Sequence, residues 1–125
     1  PLGATYCGFD DLLERSDFIS IHLPMNDSTR SLIDAAAFDR MKDGAFLINI
    51  SRAAIIDRQA LMEVLESDRL GGIALDVHYE EPSPADDPLK NYPKALLTPH
   101  TAVAGRDNAT ADMEEVIGNL ATVIR

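Results

Sequence analysis

Four short runs along the chain are almost continuously apolar and rich in β-branched or aromatic residues. They cover residues 17–23, 45–50, 72–77 and 95–98. Apolar runs of this length without strict alternation are typical of parallel strands that are covered on both faces. The pattern therefore predicts four strands of a parallel sheet.

Segments with helical spacing lie between and after these runs. Asp34 and Asp57 each precede such a segment and can cap its first turn, and Gly44 can close the segment that follows Asp34. In the last segment, apolar residues recur at spacings of three and four. The predicted helices cover residues 9–15, 35–41 and 58–67, and a fourth helix begins at Arg106.

The alternation of strands and helices predicts βαβ units and a doubly wound parallel α/β sheet. A segment at 82–93 interrupts the alternation with four prolines, and we interpret it as an irregular surface excursion. The length of 125 residues is compatible with one domain or a part of one.

Charge and composition argue against nucleic acids and membranes as partners and indicate a cellular compartment. The chain has 11 Lys and Arg against 21 Asp and Glu, a net charge of −10, and no basic cluster, which disfavours nucleic-acid binding. No apolar run is long enough to span a bilayer, and no signal segment is recognised, so no membrane association is expected. The single cysteine, Cys7, cannot form an intramolecular disulfide, which favours a reducing compartment such as the cytoplasm.

Ionisable residues lie at the end of every predicted strand. His22 and Asp76 lie near the carboxyl ends of the first and third predicted strands, and Glu81 lies beyond the third. Arg52 follows the second strand and His100 the fourth. In doubly wound sheets, ligands bind outside the carboxyl ends of the strands. The sequence therefore predicts a ligand site at this edge of the sheet.

Five motifs in order resemble one family. They are HLP at 22–24, NISR at 49–52, IDRQAL at 56–61, LDVHYEEP at 75–82 and TPH at 98–100. Their order and spacing resemble the nucleotide-binding domain of the D-specific 2-hydroxyacid dehydrogenases, which include phosphoglycerate, glyoxylate/hydroxypyruvate and formate dehydrogenases. The resemblance implies a Rossmann-like sheet and hydride transfer between NAD or NADP and a 2-hydroxy acid/2-keto acid pair.

The resemblance also implies three catalytic residues. Arg52 matches the arginine that binds the substrate carboxylate, His100 the general acid/base, and Glu81 the carboxylate that hydrogen-bonds this histidine. These residue types suit the reaction, because a histidine titrates near working pH and an arginine offers a planar fork to a carboxylate. We expect the three side chains to converge around one cavity.

Six further positions match residues that contact the cofactor. Asp76 matches the residue that orients the nicotinamide ring, and the others match contacts through main chain and apolar surface. The cofactor-binding positions implied by the resemblance are Leu23, Pro24, Ile50, Ser51, Asp76 and Ala102.

Each assignment also has a structural interpretation. Arg52 could pair with Asp57 at the surface, and Asp76 could cap a turn. Glu81 could be one of many exposed acids, and His100 a structural histidine. These alternatives remain open at the level of the sequence.

The two other histidines match no catalytic position. We favour a structural role for both His22 and His78. No pair of histidines has a ligand spacing such as H-x-x-x-H, so a metal site is not expected.

The sequence departs from the family in what it lacks. It has no G-x-G-x-x-G loop, which grips the cofactor pyrophosphate in such folds, and no separate substrate domain. We therefore interpret residues 1–125 as a partial dinucleotide-binding domain whose first βαβ unit is absent. We expect little turnover from this fragment alone, and a homodimer formed through this domain.

Other functions are compatible with the same fold. One is a non-catalytic, NAD(H)-sensing module like the C-terminal-binding corepressors, which resemble these dehydrogenases. Another is an oligomerisation module, whose exposed apolar surface would drive self-association. The sequence leaves the choice of 2-hydroxy acid, and of NAD or NADP, open.

Overall fold

The structure, a computed structural model, describes residues 3–102. The helix predicted from Arg106 onward lies outside the described residues. Four parallel strands form one sheet in the order β1-β2-β3-β4, which confirms the predicted parallel α/β architecture. The strands are β1 (Phe18–Ile21), β2 (Phe46–Asn49), β3 (Gly72–Leu75) and β4 (Ala95–Leu97).

Every strand ends before the predicted apolar run does. The run at 17–23, for example, contributes only four residues to β1. The last residues of the runs leave the ladder of hydrogen bonds and begin the loops at the carboxyl edge. Of these loop residues Asp76 and Val77 are buried, whereas Leu23 is 42% and Ile50 39% exposed.

Three helices flank the strands, together with two short 3₁₀-helices. The helices are α1 (Phe9–Arg15), α2 (Ala35–Arg40) and α3 (Arg58–Glu66), and the 3₁₀-helices cover Ala53–Ile55 and Pro88–Asn91. Both predicted caps are confirmed. The Asp34 carboxylate accepts a hydrogen bond from Ala37 N–H at 2.9 Å, and that of Asp57 accepts one from Ala60 N–H at 3.0 Å.

The predicted role of Gly44 as the closing residue of α2 is wrong. The helix ends at Arg40, and Met41 already has an extended backbone. Gly44 instead has φ +82° in a turn in which Ala45 N–H donates to Lys42 C=O at 3.1 Å. A positive φ at the third position of a turn favours glycine, so Gly44 serves the turn that leads into β2.

The two faces of the sheet differ in burial. Leu47 is 0% exposed and packs in a core with helix residues such as Leu13 and Leu61. On the opposite face Phe18 is 69% and Leu96 66% exposed. Within residues 3–102 the sheet is therefore covered on one face only, whereas the apolar runs predicted cover on both.

The proline-rich segment is an irregular excursion, as predicted, but it is anchored. Leu89 is buried in the core, and Asp87 accepts a hydrogen bond from its N–H at 3.1 Å. Lys90 Nζ donates to Ser83 C=O at 2.9 Å and to Pro84 C=O. Among the helices of the described part of the chain, none has the length and apolar character needed to cross a membrane.

Candidate active site

Four loops leave the carboxyl ends of the strands. Because all four strands are parallel, these loops meet at one edge of the sheet, which is where ligands bind in open α/β folds. The loops contain residues 22–25 after β1, 50–52 after β2, 76–81 after β3 and 98–102 after β4. Each residue predicted for the site lies in one of these loops.

Glu81 and His100 form a pair. Both carboxylate oxygens of Glu81 lie 2.9 Å from Nδ1 of His100, and the main-chain N–H of His78 donates to Glu81 Oε1 at 3.1 Å. The hydrogen bond to His100, followed by that from the His78 N–H, lowers the pKa of Glu81 below its ordinary value. The carboxylate is therefore held ionised beside the imidazole, and Nε2 of His100 points away from it.

The backbone of His100 has an uncommon conformation. Its φ is +54°, a region that non-glycine residues rarely occupy, and its N–H donates to Thr98 C=O at 3.0 Å. Such a conformation persists only where the surroundings hold it. The surrounding contacts come from the loop after β3.

Asp76 supplies the largest share of these contacts. It is 4% exposed, and its carboxylate accepts hydrogen bonds from Thr98 Oγ1 at 2.5 Å, Thr101 N–H at 2.8 Å and Ala102 N–H at 2.9 Å. Burial raises the pKa of Asp76, but the hydrogen bonds from Thr98, Ala102 and Thr101 outweigh it and keep the pKa below its ordinary value. An ionised Asp76 thus fixes the residues on both sides of His100.

This arrangement matches the structural alternative for Asp76, in which the carboxylate organises a turn. Both oxygens are engaged by residues 98–102. A cofactor amide would have to share them. The predicted contact of Asp76 with the nicotinamide ring therefore stays a prediction.

Arg52 is placed by a buried asparagine. Asn49 is 0% exposed, and its side chain donates to Arg52 C=O at 2.9 Å and accepts from Ser51 N–H at 3.0 Å. Ser51 Oγ donates to Ile21 C=O at 2.8 Å, which joins this turn to the end of β1. The turn after β2 is thereby fixed from two strands.

The Arg52 side chain is exposed. Its guanidinium donates to its neighbour's carbonyl, Ser51 C=O, at 2.6 Å. The carboxylate of Asp57 instead accepts from Ala60 N–H at the start of α3. The alternative in which Arg52 pairs with Asp57 is therefore not what the structure shows.

Three cavities lie along the carboxyl edge. The first, of about 560 Å³, is lined by His22, Leu23, Pro24, Met25, Ser51 and Arg52. The second, of about 300 Å³, lies at the ends of β3 and β4, and its lining includes Ile50, Asp76, Thr101 and Ala102. The third, of about 330 Å³, has His78, Glu81, Lys90 and His100 in its walls.

Within residues 3–102 the three residues expected to be catalytic do not line one shared cavity. Glu81 and His100 share the third cavity, whereas Arg52 lines the first. The strands that carry Arg52 and His100 are separated by β3, so their ends lie about 10 Å apart at the usual strand spacing. In addition, the Arg52 guanidinium bonds to its own loop. A small ligand would have to bridge this distance.

The six predicted cofactor positions divide between two neighbouring cavities. Leu23, Pro24 and Ser51 line the first cavity. Ile50, Asp76 and Ala102 line the second, together with Ala74 and Leu96. Each cavity therefore receives three of the six.

The second cavity has a mostly apolar lining. Its volume lies at the lower end of the range for ligand pockets, and Ile50, Ala74 and Leu96 make much of its wall apolar. Among residues 3–102 no group of three or more His, Cys, Asp or Glu side chains is placed to hold a metal ion.

Two residues that organise the site, Asn49 and His78, match no catalytic or cofactor-binding position in the sequence. Asn49 lies within the NISR motif, and its signal was a polar residue inside a buried apolar run. His78 was interpreted as structural, yet its main chain contacts Glu81 and its ring contacts Thr98. His22, interpreted likewise, contacts Ser20 Oγ through Nε2 at 2.8 Å and lines the cavity of Arg52.

Comparison with known proteins gives consistent results. A putative 2-hydroxyacid dehydrogenase of Haemophilus influenzae is 40% identical over 92% of this chain and 38% of its own length. A glyoxylate reductase of Korarchaeum cryptofilum is 39% identical over 95% of the chain and 36% of its own length. The chain thus spans somewhat more than a third of these relatives.

Solved structures agree with the sequence relatives. A Thermus thermophilus protein superposes with a TM-score of 0.80 at 38% identity, over 86% of this chain and 34% of its own. The NAD-dependent formate dehydrogenase of Staphylococcus aureus, solved with NAD, has a TM-score of 0.72 at 41% identity, over 76% of this chain and 29% of its own. The family described as D-isomer specific 2-hydroxyacid dehydrogenase, NAD binding domain, matches residues 1–102. The chain therefore belongs to the D-isomer specific 2-hydroxyacid dehydrogenase family, in its NAD binding domain.

Proposed function

We propose that this chain forms the nicotinamide side of the active site of an NAD(P)-dependent D-2-hydroxyacid dehydrogenase. The observation that carries the proposal is the Glu81–His100 pair, with Nδ1 held 2.9 Å from both carboxylate oxygens at the ligand-binding edge of the sheet. The substrate would be a 2-keto acid or the matching D-2-hydroxy acid. Residues 1–125 would be one part of the dinucleotide-binding domain, and a separate domain would complete the substrate site.

His100 would move the proton of the reaction. When bound, a reduced nicotinamide supplies a hydride to the carbonyl carbon of the 2-keto acid, and negative charge then develops on the carbonyl oxygen. The protonated His100 donates its Nε2 proton to this oxygen, which yields the hydroxyl group. Glu81 stabilises the imidazolium through Nδ1 and fixes the orientation of its ring.

Arg52 would hold the substrate carboxylate. A guanidinium can form two parallel hydrogen bonds with a carboxylate, a geometry that lysine cannot match. In the structure its Nη1 donates to Ser51 C=O. A substrate carboxylate, which is a charged acceptor, would replace this neutral one. A small keto acid bound by both side chains would have to bridge the gap of about 10 Å between the ends of β2 and β4.

Six residues would hold the cofactor. Asp76 and Ile50 would lie beside the nicotinamide ring in the second cavity. Main-chain groups of Leu23, Pro24 and Ser51, which line the first cavity, would contact another part of the cofactor. Solved members of the family carry either form of the cofactor: the Staphylococcus aureus formate dehydrogenase contains NAD, and a Xanthobacter autotrophicus Py2 member contains NADPH. The proposal is therefore NAD or NADP, held by Leu23, Pro24, Ile50, Ser51, Asp76 and Ala102.

The proposal also includes an oligomeric state and a cellular compartment. The family resemblance supports a homodimer formed through this domain, and light scattering of the purified gene product would test it by giving twice the monomer mass. The presence of Cys7 as the single cysteine supports a reducing compartment such as the cytoplasm.

The test uses the gene product with all the sequence that its gene encodes around this chain. NADH and NADPH oxidation is measured with glyoxylate, hydroxypyruvate and related 2-keto acids. We expect His100→Ala to lower kcat by about 10²–10⁴-fold, the usual contribution of a general acid. Arg52→Ala should lower kcat/KM by about 10²–10³-fold.

Arg40→Ala is the matched control for Arg52, because Arg40 lies on α2 and pairs at the surface with Asp10 and Glu14. It should leave turnover unchanged. Intact turnover in either His100→Ala or Arg52→Ala would disprove the mechanism. Nucleotide binding without turnover on any 2-keto acid would favour the non-catalytic, NAD(H)-sensing alternative.

A further inference from the structure

The His78 side chain makes one hydrogen bond at the site, and its direction is fixed by chemistry. Nε2 lies 2.8 Å from Thr98 C=O. A carbonyl only accepts hydrogen bonds, so Nε2 must carry the proton. Nδ1 is buried and, among the residues that the structure describes, has no hydrogen-bond partner. The hydrogen bond to Thr98 C=O therefore needs a proton on Nε2.

Thr98 is the base of the turn that carries His100. Its carbonyl accepts two hydrogen bonds, from the His78 ring and from His100 N–H at 3.0 Å. Its hydroxyl donates to the buried Asp76 carboxylate. Because the φ of His100 is +54°, contacts from other parts of the chain must stabilise this turn. The hydrogen bond from the His78 ring to Thr98 C=O is one of them.

His78 also contacts the other member of the pair. Its main-chain N–H donates to Glu81 Oε1, the same oxygen that lies 2.9 Å from His100 Nδ1. One residue thus contacts both the carboxylate and the turn that presents the imidazole. The ring of His78 lines the third cavity beside the pair, and it does not line the two cavities proposed to hold the cofactor.

We propose that His78 is a positioning residue that fixes the orientation of the His100 imidazole against Glu81 by donating a hydrogen bond from Nε2 to Thr98 C=O. In this proposal His78 acts through Thr98 and Glu81, and not by contact with the reacting atoms. Its effect on turnover rests on the proposed function, whereas its effect on the geometry of the Glu81–His100 pair does not.

His78→Gln and His78→Asn both replace the imidazole with an amide, but only the first keeps a donor near the position of Nε2. Comparing them separates the loss of this hydrogen bond from the effect of replacing the imidazole. In His78→Gln the side-chain amide reaches about as far as Nε2 and can still donate to Thr98 C=O. In His78→Asn the amide reaches only about as far as Nδ1, which has no partner in the described structure. His78→Phe has an aromatic ring but no hydrogen-bond donor. It replaces the asparagine variant if circular dichroism shows that the asparagine variant is unfolded.

The first readout is proton NMR of the gene product, independent of turnover. An imidazole N–H that is hydrogen-bonded to a carboxylate gives a downfield proton signal, and its loss in Glu81→Gln assigns it to the pair. We expect the signal to persist in His78→Gln and to broaden or disappear in His78→Asn or His78→Phe. An unchanged signal in the variants that lack the donor would overturn the proposal.

The second readout is the division of the effect between kcat and nucleotide binding. We expect His78→Asn to lower kcat by about 10–100-fold, as small misplacements of catalytic groups do, with the Kd for the nucleotide unchanged and with His78→Gln restored towards wild type. Equal losses in the glutamine and asparagine variants would overturn the proposal. If wild type has no turnover but the NMR signal follows the expected order, the positioning role stands and the dehydrogenase proposal fails.

Discussion

Replacing Asp76 with asparagine tests how far the turn that carries His100 depends on one buried carboxylate. The carboxylate accepts three hydrogen bonds, two at Oδ1 from Thr98 Oγ1 and Thr101 N–H, and one at Oδ2 from Ala102 N–H. An asparagine amide has one oxygen and one NH₂ group. Whichever way it is turned, its NH₂ faces at least one main-chain N–H, and two donors cannot bond each other.

The expected cost follows from this count. The main-chain N–H groups of Thr101 and Ala102 bond Asp76 at a part-buried site, so one left without an acceptor costs no more than a fully buried donor would, which is about 1–3 kcal/mol. The bonds that remain also weaken, because hydrogen bonds to charged groups contribute about 1.5–3 kcal/mol and neutral ones about 0.5–1.5. We therefore expect Asp76→Asn to lower the free energy of unfolding by about 1–3 kcal/mol.

Urea unfolding followed by circular dichroism at pH 7 measures this difference. Asp57→Asn is the matched control, since an asparagine caps a helix about as well as an aspartate and its oxygen can still accept from Ala60 N–H. The control should lose less than about 0.5 kcal/mol. Comparable losses in the two variants, or no loss in Asp76→Asn, would refute the reasoning.

The pH dependence gives a second check on the same residue. Because the pKa of Asp76 in the folded chain lies below its ordinary value, its ionised form stabilises the fold above that ordinary value. This contribution is lost as the pH falls through the pKa of the folded state. Asparagine does not titrate, so the stability gap between wild type and Asp76→Asn should narrow below about pH 4. A gap that is constant from pH 7 to pH 3 would contradict the assignment.

Two further predictions concern the other supports of the fold. Asn49→Ala should lower the free energy of unfolding by about 1–3 kcal/mol, because it leaves part-buried main-chain groups at Ser51 and Arg52 without these partners and removes a fully buried side chain. The same variant should raise the KM for the 2-keto acid in the gene product, and an unchanged KM would contradict the role of this turn in placing Arg52. Asp34→Ala removes the cap of α2 and should cost about 1 kcal/mol in urea unfolding, while Asp34→Asn should stay close to wild type; equal stabilities would show that the cap does not contribute.

Several elements could be predicted because their causes are local. An apolar run predicts a strand wherever it occurs, and an aspartate before a helical segment can cap it without help from distant residues. For that reason the four strands and both caps were correctly predicted, and the motifs identified the loops of the site. The role of Gly44 was predicted wrongly, since the choice between the end of a helix and the start of a strand depends on where Arg69 lies, whose carbonyl accepts from Gly44 N–H at 2.7 Å.

The sequence predicts which residues lie at the end of each strand. This is possible because an apolar run and the polar residues after it are adjacent in the sequence. Which of these residues meet depends instead on the folded arrangement of the strands. Glu81 and His100 are 19 positions apart and come into contact because β3 and β4 are adjacent, whereas Arg52 is kept apart by the intervening strand. The order of strands is set by packing across the whole sheet, and no local pattern contains it. The same holds for Asp76 and His78, whose partners on the turn around His100 lie 20 or more positions away.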